Sequence, residues 1–259
     1  MLFFTFGWKI ISAEGAIKSP NEFFMVSHLP YQIDPLTNRH HFYEENWKHS
    51  ASKLLLQHCL SQGKLLDWGC GRGEALAIFS KMGFECRGAD MDPACVELSK
   101  KFGYPVDQIL NEDPRSLFPP NHFDVVVCLH VLEHVDSPKV VLSGLQHISK
   151  KFVLVGVPNA RNFQEPLSRR VSLSKVNEGH LQIWDHSHLL NLAERHCGLR
   201  LIAWGFDATI LPFFARLANI PPLTSSIIWL ETGIFRKLFP FHGITCLGLF
   251  EKRNIHSLE

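Results

Sequence analysis

The sequence has no block of basic residues, no C-x-x-C pair, no internal repeat and no low-complexity tract. Each absence excludes a class of protein. With a formal net charge of +1 over 259 residues, there is no electrostatic footprint for following a phosphate backbone, so no nucleic-acid partner is expected. The seven cysteines (Cys59, Cys70, Cys86, Cys95, Cys128, Cys197 and Cys246) are an odd number scattered through apolar stretches. That usage suits thiols acting as small apolar fillers in a reducing cytoplasm, which is the expected location. No uninterrupted apolar run reaches the roughly 18 residues that a membrane helix needs. The opening "MLFFTFGWKII" is short, lacks a basic leading region and carries Lys9 within it. It is expected to be neither a secretion signal nor a membrane span, and the protein is expected to be soluble.

What is present is a large apolar fraction, 46%, and between residues 64 and 157 a rhythm of short apolar runs alternating with amphipathic stretches. That rhythm predicts β-α-β units on a parallel sheet. Strands are expected at "KLLDW", "ECRGAD", "VDQIL", "FDVVVCLH" (123–130), "FVLVGVPN", "LRLIAWGF" and "GITCLGLFEKR". Helices are expected after the first glycine loop, after Pro93, after Pro138 and across "DHSHLLNLAERHCG", capped by Asp185 or Ser187 and ended by Gly198. The predicted fold class is α/β: a doubly wound, mostly parallel seven-stranded sheet. Residues 1–50 break the rhythm and are expected to form a helical N-terminal cap on a main domain, 51–259. Within that domain, residues 160–185 are expected to form a lid or substrate loop, and 208–243 an apolar insertion before the last strand.

The motif that asks for an explanation is "KLLDWGCGRGEAL", where Gly69, Gly71 and Gly73 follow a strand that ends near Asp67. Clustered glycine lets a backbone turn sharply and lets a ligand approach the main chain. In a doubly wound sheet this loop lies at the carboxyl ends of the strands, where small ligands bind. A dinucleotide calls for G-x-G-x-x-G, whereas here the spacing is G-x-G-x-G with an aspartate just before it. A carboxylate is a poor neighbour for a pyrophosphate and a good one for a cation. No G-K-[ST] follows, which excludes a nucleoside triphosphate loop. Asp90, at the tip of the second strand, sits near the ~20-residue offset at which an acidic side chain accepts from ribose hydroxyls. A nucleoside with a cationic, amino-acid-like tail, S-adenosylmethionine, satisfies both carboxylates.

"LLDWGCGRGEAL", "GADMDP", "NHFDVVVCLHVLEHVDSP" and "FVLVGVPN", in that order, resemble the successive motifs of class I S-adenosylmethionine-dependent methyltransferases over roughly residues 60–160. The resemblance implies a Rossmann-like fold and S-adenosylmethionine as cofactor. It places Asp67, Gly69, Cys70 and Gly71 around the methionine part, Asp90 on the ribose and Met91 on the adenine face. It further implies Asp113 as acceptor from the adenine amino group, with neighbouring Glu112 able to serve instead, and His130 near the methionine end. By likeness to caps in similar enzymes, Arg39 and Tyr43 in "NRHHFYEENW" are expected to contact the cofactor's carboxylate.

Methyl transfer is an in-line displacement in which the enzyme mainly positions the reactants and, for a hydroxyl acceptor, removes a proton. Among fifteen histidines, position selects His180 in "NEGHLQIW" as the preferred base and His134 as the second candidate. His130 and His134 are four apart and would share a face on a helical turn. "HVLEH" lacks the H-E-x-x-H order and no third ligand is evident, so no metal is expected. The expected activity is O-methylation of a small or medium-sized acceptor; the absence of an N/D-P-P-Y/F motif after the fourth strand argues against amino-methylation of adenine or a glutamine side chain. A methyltransferase-like binding or interaction protein without catalysis, an NAD-dependent oxidoreductase and, weakened by the near-neutral charge, a nucleic-acid methyltransferase are the rival readings.

Residues 208–243 carry Phe213, Phe214, Ile227, Ile228, Trp229, Leu230, Phe235 and Phe239, more apolar surface than a connection between two strands requires. A helical elaboration on the sheet edge or in a homodimer interface is one use for it. An apolar wall for a lipid-linked or quinone-like acceptor, or a peripheral membrane contact helped by Arg216, Arg236 and Lys237, is the other.

Overall fold

The computed structural model describes residues 38–58, 62–163, 179–217 and 220–253. The chain divides into Met1–Asn38 and Arg39–Glu259. From Asn38 onward its elements are α1 (Asn38–His58), β1 (Gly63–Trp68), α2 (Glu74–Lys81), β2 (Phe84–Asp90), α3 (Pro93–Lys101), β3 (Val106–Gln108), β4 (Phe123–Leu129), α4 (Pro138–Ile148), β5 (Ser149–Pro158), α5 (His186–Asn191), β6 (Leu199–Phe206), α6 (Pro212–Leu217), α7 (Pro221–Trp229) and β7 (Thr245–Lys252). The strands form one sheet in the order β3-β2-β1-β4-β5-β7-β6. Every pairing is parallel except those of β7 with β5 and β6. This is the doubly wound seven-stranded sheet that the strand rhythm predicts.

The period of two in a strand sorts its side chains into two cores. Leu66, Val126, Cys128, Val153 and Val155 face one way, beneath Leu142, Leu145 and Leu189 of α4 and α5. Leu65, Val125, Val127 and Leu154 face the other, beneath Leu55, Leu76, Phe79 and Val96 of α1, α2 and α3. Strands covered on both faces read as unbroken apolar runs, which is why "VVVCL" shows no alternation. Helix starts follow local chemistry. The Asp92 carboxylate accepts from the Ala94 N–H at 2.9 Å behind Pro93, and Asp185 accepts from the His188 N–H at 2.8 Å.

Several local expectations are corrected. The third strand stops at Gln108 instead of continuing to Leu110: the Ile109 N–H bonds to the Asp90 carbonyl at 2.8 Å, and Leu110 turns outward, 90% exposed. The fourth strand ends at Leu129 because His130 takes a left-handed φ of 56°. For the same reason His130 and His134 share no helical face, since residues 132–134 form a turn. The helix α1 runs without a break across residue 50.

The apolar insertion is helical, with α6 and α7 followed by a π-helical turn, Leu230–Phe235. Ile227, Glu231 and Phe235 are buried, while Phe213, Trp229 and Leu238 point outward at 69%, 62% and 64% exposure. Among the described residues no helix is long and apolar enough to cross a membrane. The six described cysteines are free.

Candidate functional site

The order of the sheet reverses between β1 and β4, so the loops after these neighbouring strands diverge and leave a crevice at their carboxyl ends. The loop after β1 is held down by two N–H groups, Gly69 and Cys70, which both donate to the Ala89 carbonyl at 2.7 and 3.1 Å. Gly69 has φ +80°, and a Cβ there would lie 2.2 Å from Val131 Cγ2. Gly71 has φ +53° with nothing within 4 Å of where a Cβ would be, so its backbone is bare toward open space. Cys70 is buried, and its sulfur packs against Gly88, so only its main chain can serve a ligand.

Asp67 is 2% exposed. Burial first, and then the charge of Asp90, push its carboxyl up from 3.8 to about 7, with Lys48 opposing them. Lys48 comes from α1, is itself buried, and pairs with Glu74 at the start of α2. Asp90 accepts from the Gly71 N–H at 2.7 Å and from the Asp92 N–H at 2.9 Å. Burial raises the Asp90 pKa, and these bonds counter that effect. Met91 follows it, 55% exposed, on the same rim as Leu110. Asp113 commits both carboxylate oxygens to Arg115 at 2.7–3.0 Å and caps the turn Pro114–Ser116, so its carboxyl lies below the ordinary range. Glu112 accepts from the Asp136 N–H at 3.3 Å.

Beyond β4 lies a string of polar side chains, three of them fully buried. His130 Nδ1 meets Glu133 Oε1 at 3.2 Å, and its Nε2 meets Thr245 Oγ1 at 3.2 Å. The Thr245 N–H donates to Asp207 Oδ1 at 2.9 Å. Glu133, Thr245 and Asp207 are each 1% exposed, and burial raises the Asp207 carboxyl to about 6. The Trp47 ring of α1 lies 4.8 Å from the His130 ring. Both nitrogens of His130 are therefore engaged, and its orientation is fixed from three sides.

His134 and His180, far apart in sequence, meet with ring centroids 4.8 Å apart and edge to face. His134 Nδ1 donates to the Gly179 carbonyl at 2.9 Å. The Glu133 carbonyl accepts from Leu181 and Gln182 at 2.7 and 3.2 Å, which ties the His180 segment to the turn after β4. Burial lowers the His180 pKa, so its imidazole is neutral at neutral pH. The same segment is tied at its other end, where the Ala160 N–H donates to the Trp184 carbonyl at 2.8 Å and Arg161 pairs with Asp185 at 3.0 Å. The part of the expected lid between them, 164–178, lies outside the described residues.

The structure thus gathers Asp67, Gly69, Gly71, Asp90 and His130 at one end of the sheet, with His134 beside His180. Arg39 and Tyr43 lie on α1, but their side chains are outside the described ones, as is that of Arg216. Sequence reasoning missed Trp47, Lys48, Glu133, Thr245 and Asp207. Only Glu133 carried a signal, as the acidic residue of "HVLEH". The others reach the site through pairings made in three dimensions.

The Methyltransferase domain family model matches residues 39–203, more than half of the chain, and the chain belongs to that family, whose class I members use S-adenosylmethionine. A curated relative, the mitochondrial ubiquinone biosynthesis O-methyltransferase of Schizosaccharomyces pombe, is 32% identical over 120 residues, 44% of this chain and 41% of the relative. The match thus spans about two fifths of that protein's length. Among solved structures, an S-adenosylmethionine-dependent methyltransferase of Thermotoga maritima superposes with a TM-score of 0.59 at 15% identity, covering 83% of this chain and 94% of that one. Magnesium protoporphyrin IX methyltransferase of Synechocystis with bound S-adenosylmethionine gives 0.56 at 12% identity, covering 86% of both chains. At these identities the likeness is one of fold. The site suits the cofactor: a buried carboxylate stands beside a main-chain turn open to space at Gly71, and a second carboxylate lies across it.

Proposed function

We propose that this protein transfers a methyl group from S-adenosylmethionine to an oxygen of a small or medium-sized acceptor. The observation that carries the proposal is Asp67, a carboxylate buried in the sheet at the open glycine turn with Asp90 opposite. A buried carboxylate that Lys48 offsets only in part is costly, and a ligand bearing positive charge relieves that cost. When bound, the cofactor supplies a methyl group on a sulfonium. The chain's own part is to hold and orient. Asp67 and the main chain of Gly69, Cys70 and Gly71 take the methionine end, Asp90 the ribose and Met91 the adenine face. Asp113 is the less favoured adenine acceptor, because Arg115 already occupies both its oxygens. Arg39 and Tyr43 remain candidates for the cofactor's carboxylate.

The acceptor side is the His134 and His180 pair, with His180 supplying the neutral imidazole that engages an acceptor hydroxyl. The name of the Schizosaccharomyces pombe relative supports oxygen as the methylated atom and favours an apolar or lipid-linked aromatic acceptor. The outward Phe213, Trp229 and Leu238 suit such an acceptor or a membrane surface from which it is drawn, and the same face suits a homodimer. Free thiols are compatible with a reducing cytoplasm. Of the expected cap over residues 1–50, positions 1–37 lie outside the described residues.

Calorimetry with S-adenosylmethionine, its demethylated product and NAD tests the cofactor. Transfer of labelled methyl to a catechol-bearing probe tests the chemistry. Binding of the first two alone, with Asp67→Asn binding at least about tenfold more weakly, is expected. No binding of either by the folded wild type sinks the reading.

A further inference from the structure

The turn after β4 and the segment after Gly179 bring Glu133, His134 and His180 together so that one ligand atom from each lies within 4.8 Å of the others. We propose that these three residues bind a divalent first-row transition cation, with zinc as the type case. "HVLEH" alone offers no third ligand, and the fold provides one 46 positions downstream, at His180.

Three independent features converge. Glu133 is 1% exposed, His130 engages Oε1, and Oε2 is buried without a partner. An orphaned carboxylate oxygen in such a place is costly unless something positive meets it. His134 donates its Nδ1 proton to the Gly179 carbonyl at 2.9 Å, which fixes the tautomer and leaves the Nε2 lone pair free. A ligating histidine is characteristically held in this way by its second nitrogen. The two segments are already tied by the Leu181 and Gln182 N–H bonds to the Glu133 carbonyl at 2.7 and 3.2 Å, so the donors are organised before any ion arrives. Bonds of about 2.1 Å in a tetrahedral site put ligand atoms roughly 3.4 Å apart, so a small inward rotation of the two imidazoles completes the spacing.

Two imidazoles and one carboxylate are borderline donors, suited to zinc, cobalt or ferrous iron and poorly suited to calcium or magnesium. Three protein ligands leave a coordination position open. On the methyltransferase reading, that position takes an oxygen of the acceptor and orients it, and the His180 lone pair acts through the ion instead of directly on the hydroxyl. That role rests on the proposed activity, whereas the site itself does not.

The test needs neither cofactor nor acceptor. Full-length protein stripped with chelator is titrated with zinc by calorimetry and with cobalt by visible absorption. Glu133→Gln, His180→Gln and, as a control at the opposite end of β4, His122→Gln are treated alike, with folding checked by circular dichroism. Expected are one equivalent bound by wild type and by His122→Gln, and at least ~10-fold weaker binding by the other two, since even outer partners of a metal change affinity 10- to 100-fold. A cobalt spectrum of four- or five-coordinate type in wild type, lost in His180→Gln, supports the same site. Absence of stoichiometric binding, or equal affinity in all folded variants, overturns the proposal and leaves the methyl-transfer reading standing.

Discussion

Asp90 reaches across the glycine turn to take the Gly71 N–H at 2.7 Å. One carboxylate thus shapes the loop and, on the proposed reading, also receives the ribose hydroxyls. Asp90→Asn keeps one acceptor oxygen but cannot hold both Gly71 and Asp92 while also receiving hydroxyls. It is expected to lose about 1–3 kcal/mol of stability and at least about tenfold in affinity for S-adenosylmethionine. Urea unfolding and calorimetry check the two effects separately.

On the proposed reading, Asp67 ties cofactor binding to pH. Its carboxyl titrates near 7 when folded and near 3.8 otherwise. Between these values the folded chain keeps a proton that the unfolded chain has released. The associated stability is therefore fully present below about pH 4 and is lost as pH rises through about 7. Asp67→Asn is expected to flatten this part of the stability profile. A cationic ligand favours the carboxylate, so cofactor affinity should rise with pH up to about 7, with proton release seen as a buffer-dependent heat in calorimetry. A pH-independent affinity from about 5 to 8 contradicts this account of Asp67.

Two glycines of the same turn should respond differently. Gly69→Ala drives a methyl to 2.2 Å from Val131 Cγ2 at φ +80°, whereas Gly71→Ala meets open space at φ +53°. The first is expected to cost about 2–4 kcal/mol, from strain plus overpacking, and Val131→Ala should restore part of it. The second should cost about 1–2 kcal/mol yet abolish most cofactor binding. Thermal unfolding with and without S-adenosylmethionine distinguishes them.

The outward face of the helical insertion gives a surface prediction. Phe213→Ser with Trp229→Ser removes two side chains exposed at 69% and 62%. Stability should change by no more than about 0.5 kcal/mol per site, while co-sedimentation with anionic liposomes drops markedly. Equal sedimentation of wild type and variant removes the membrane role.

The sheet was legible because its signal is local: β-branched runs, prolines at helix starts and glycine after β1 each act within a few residues. The gathering of Asp67, Gly69, Gly71 and Asp90 was legible for the same reason, since they lie on adjacent strand tips 23 residues apart at most. The polar cluster beyond β4 was not. Thr245 meets His130 across 115 positions, and His134 meets Gly179 across 45, through the antiparallel return of β7 and the anchoring of the segment before α5. The pairing of Asp113 with Arg115, two residues on, carried no signal in the sequence beyond their proximity. Trp47 and Lys48 stayed hidden because "EENWKHS" reads as an ordinary helix surface.

The tether between Ala160 and Trp184, with Arg161 on Asp185 and Leu181 on Glu133, holds the described residues on either side of 164–178 to each other and to the turn after β4. Lengthening a strand of chain whose ends are already clasped costs little, about 0.6 kcal/mol for each doubling. New selectivity could therefore be grafted between those flanking residues by insertion or exchange, with the domain beneath left to fold as before.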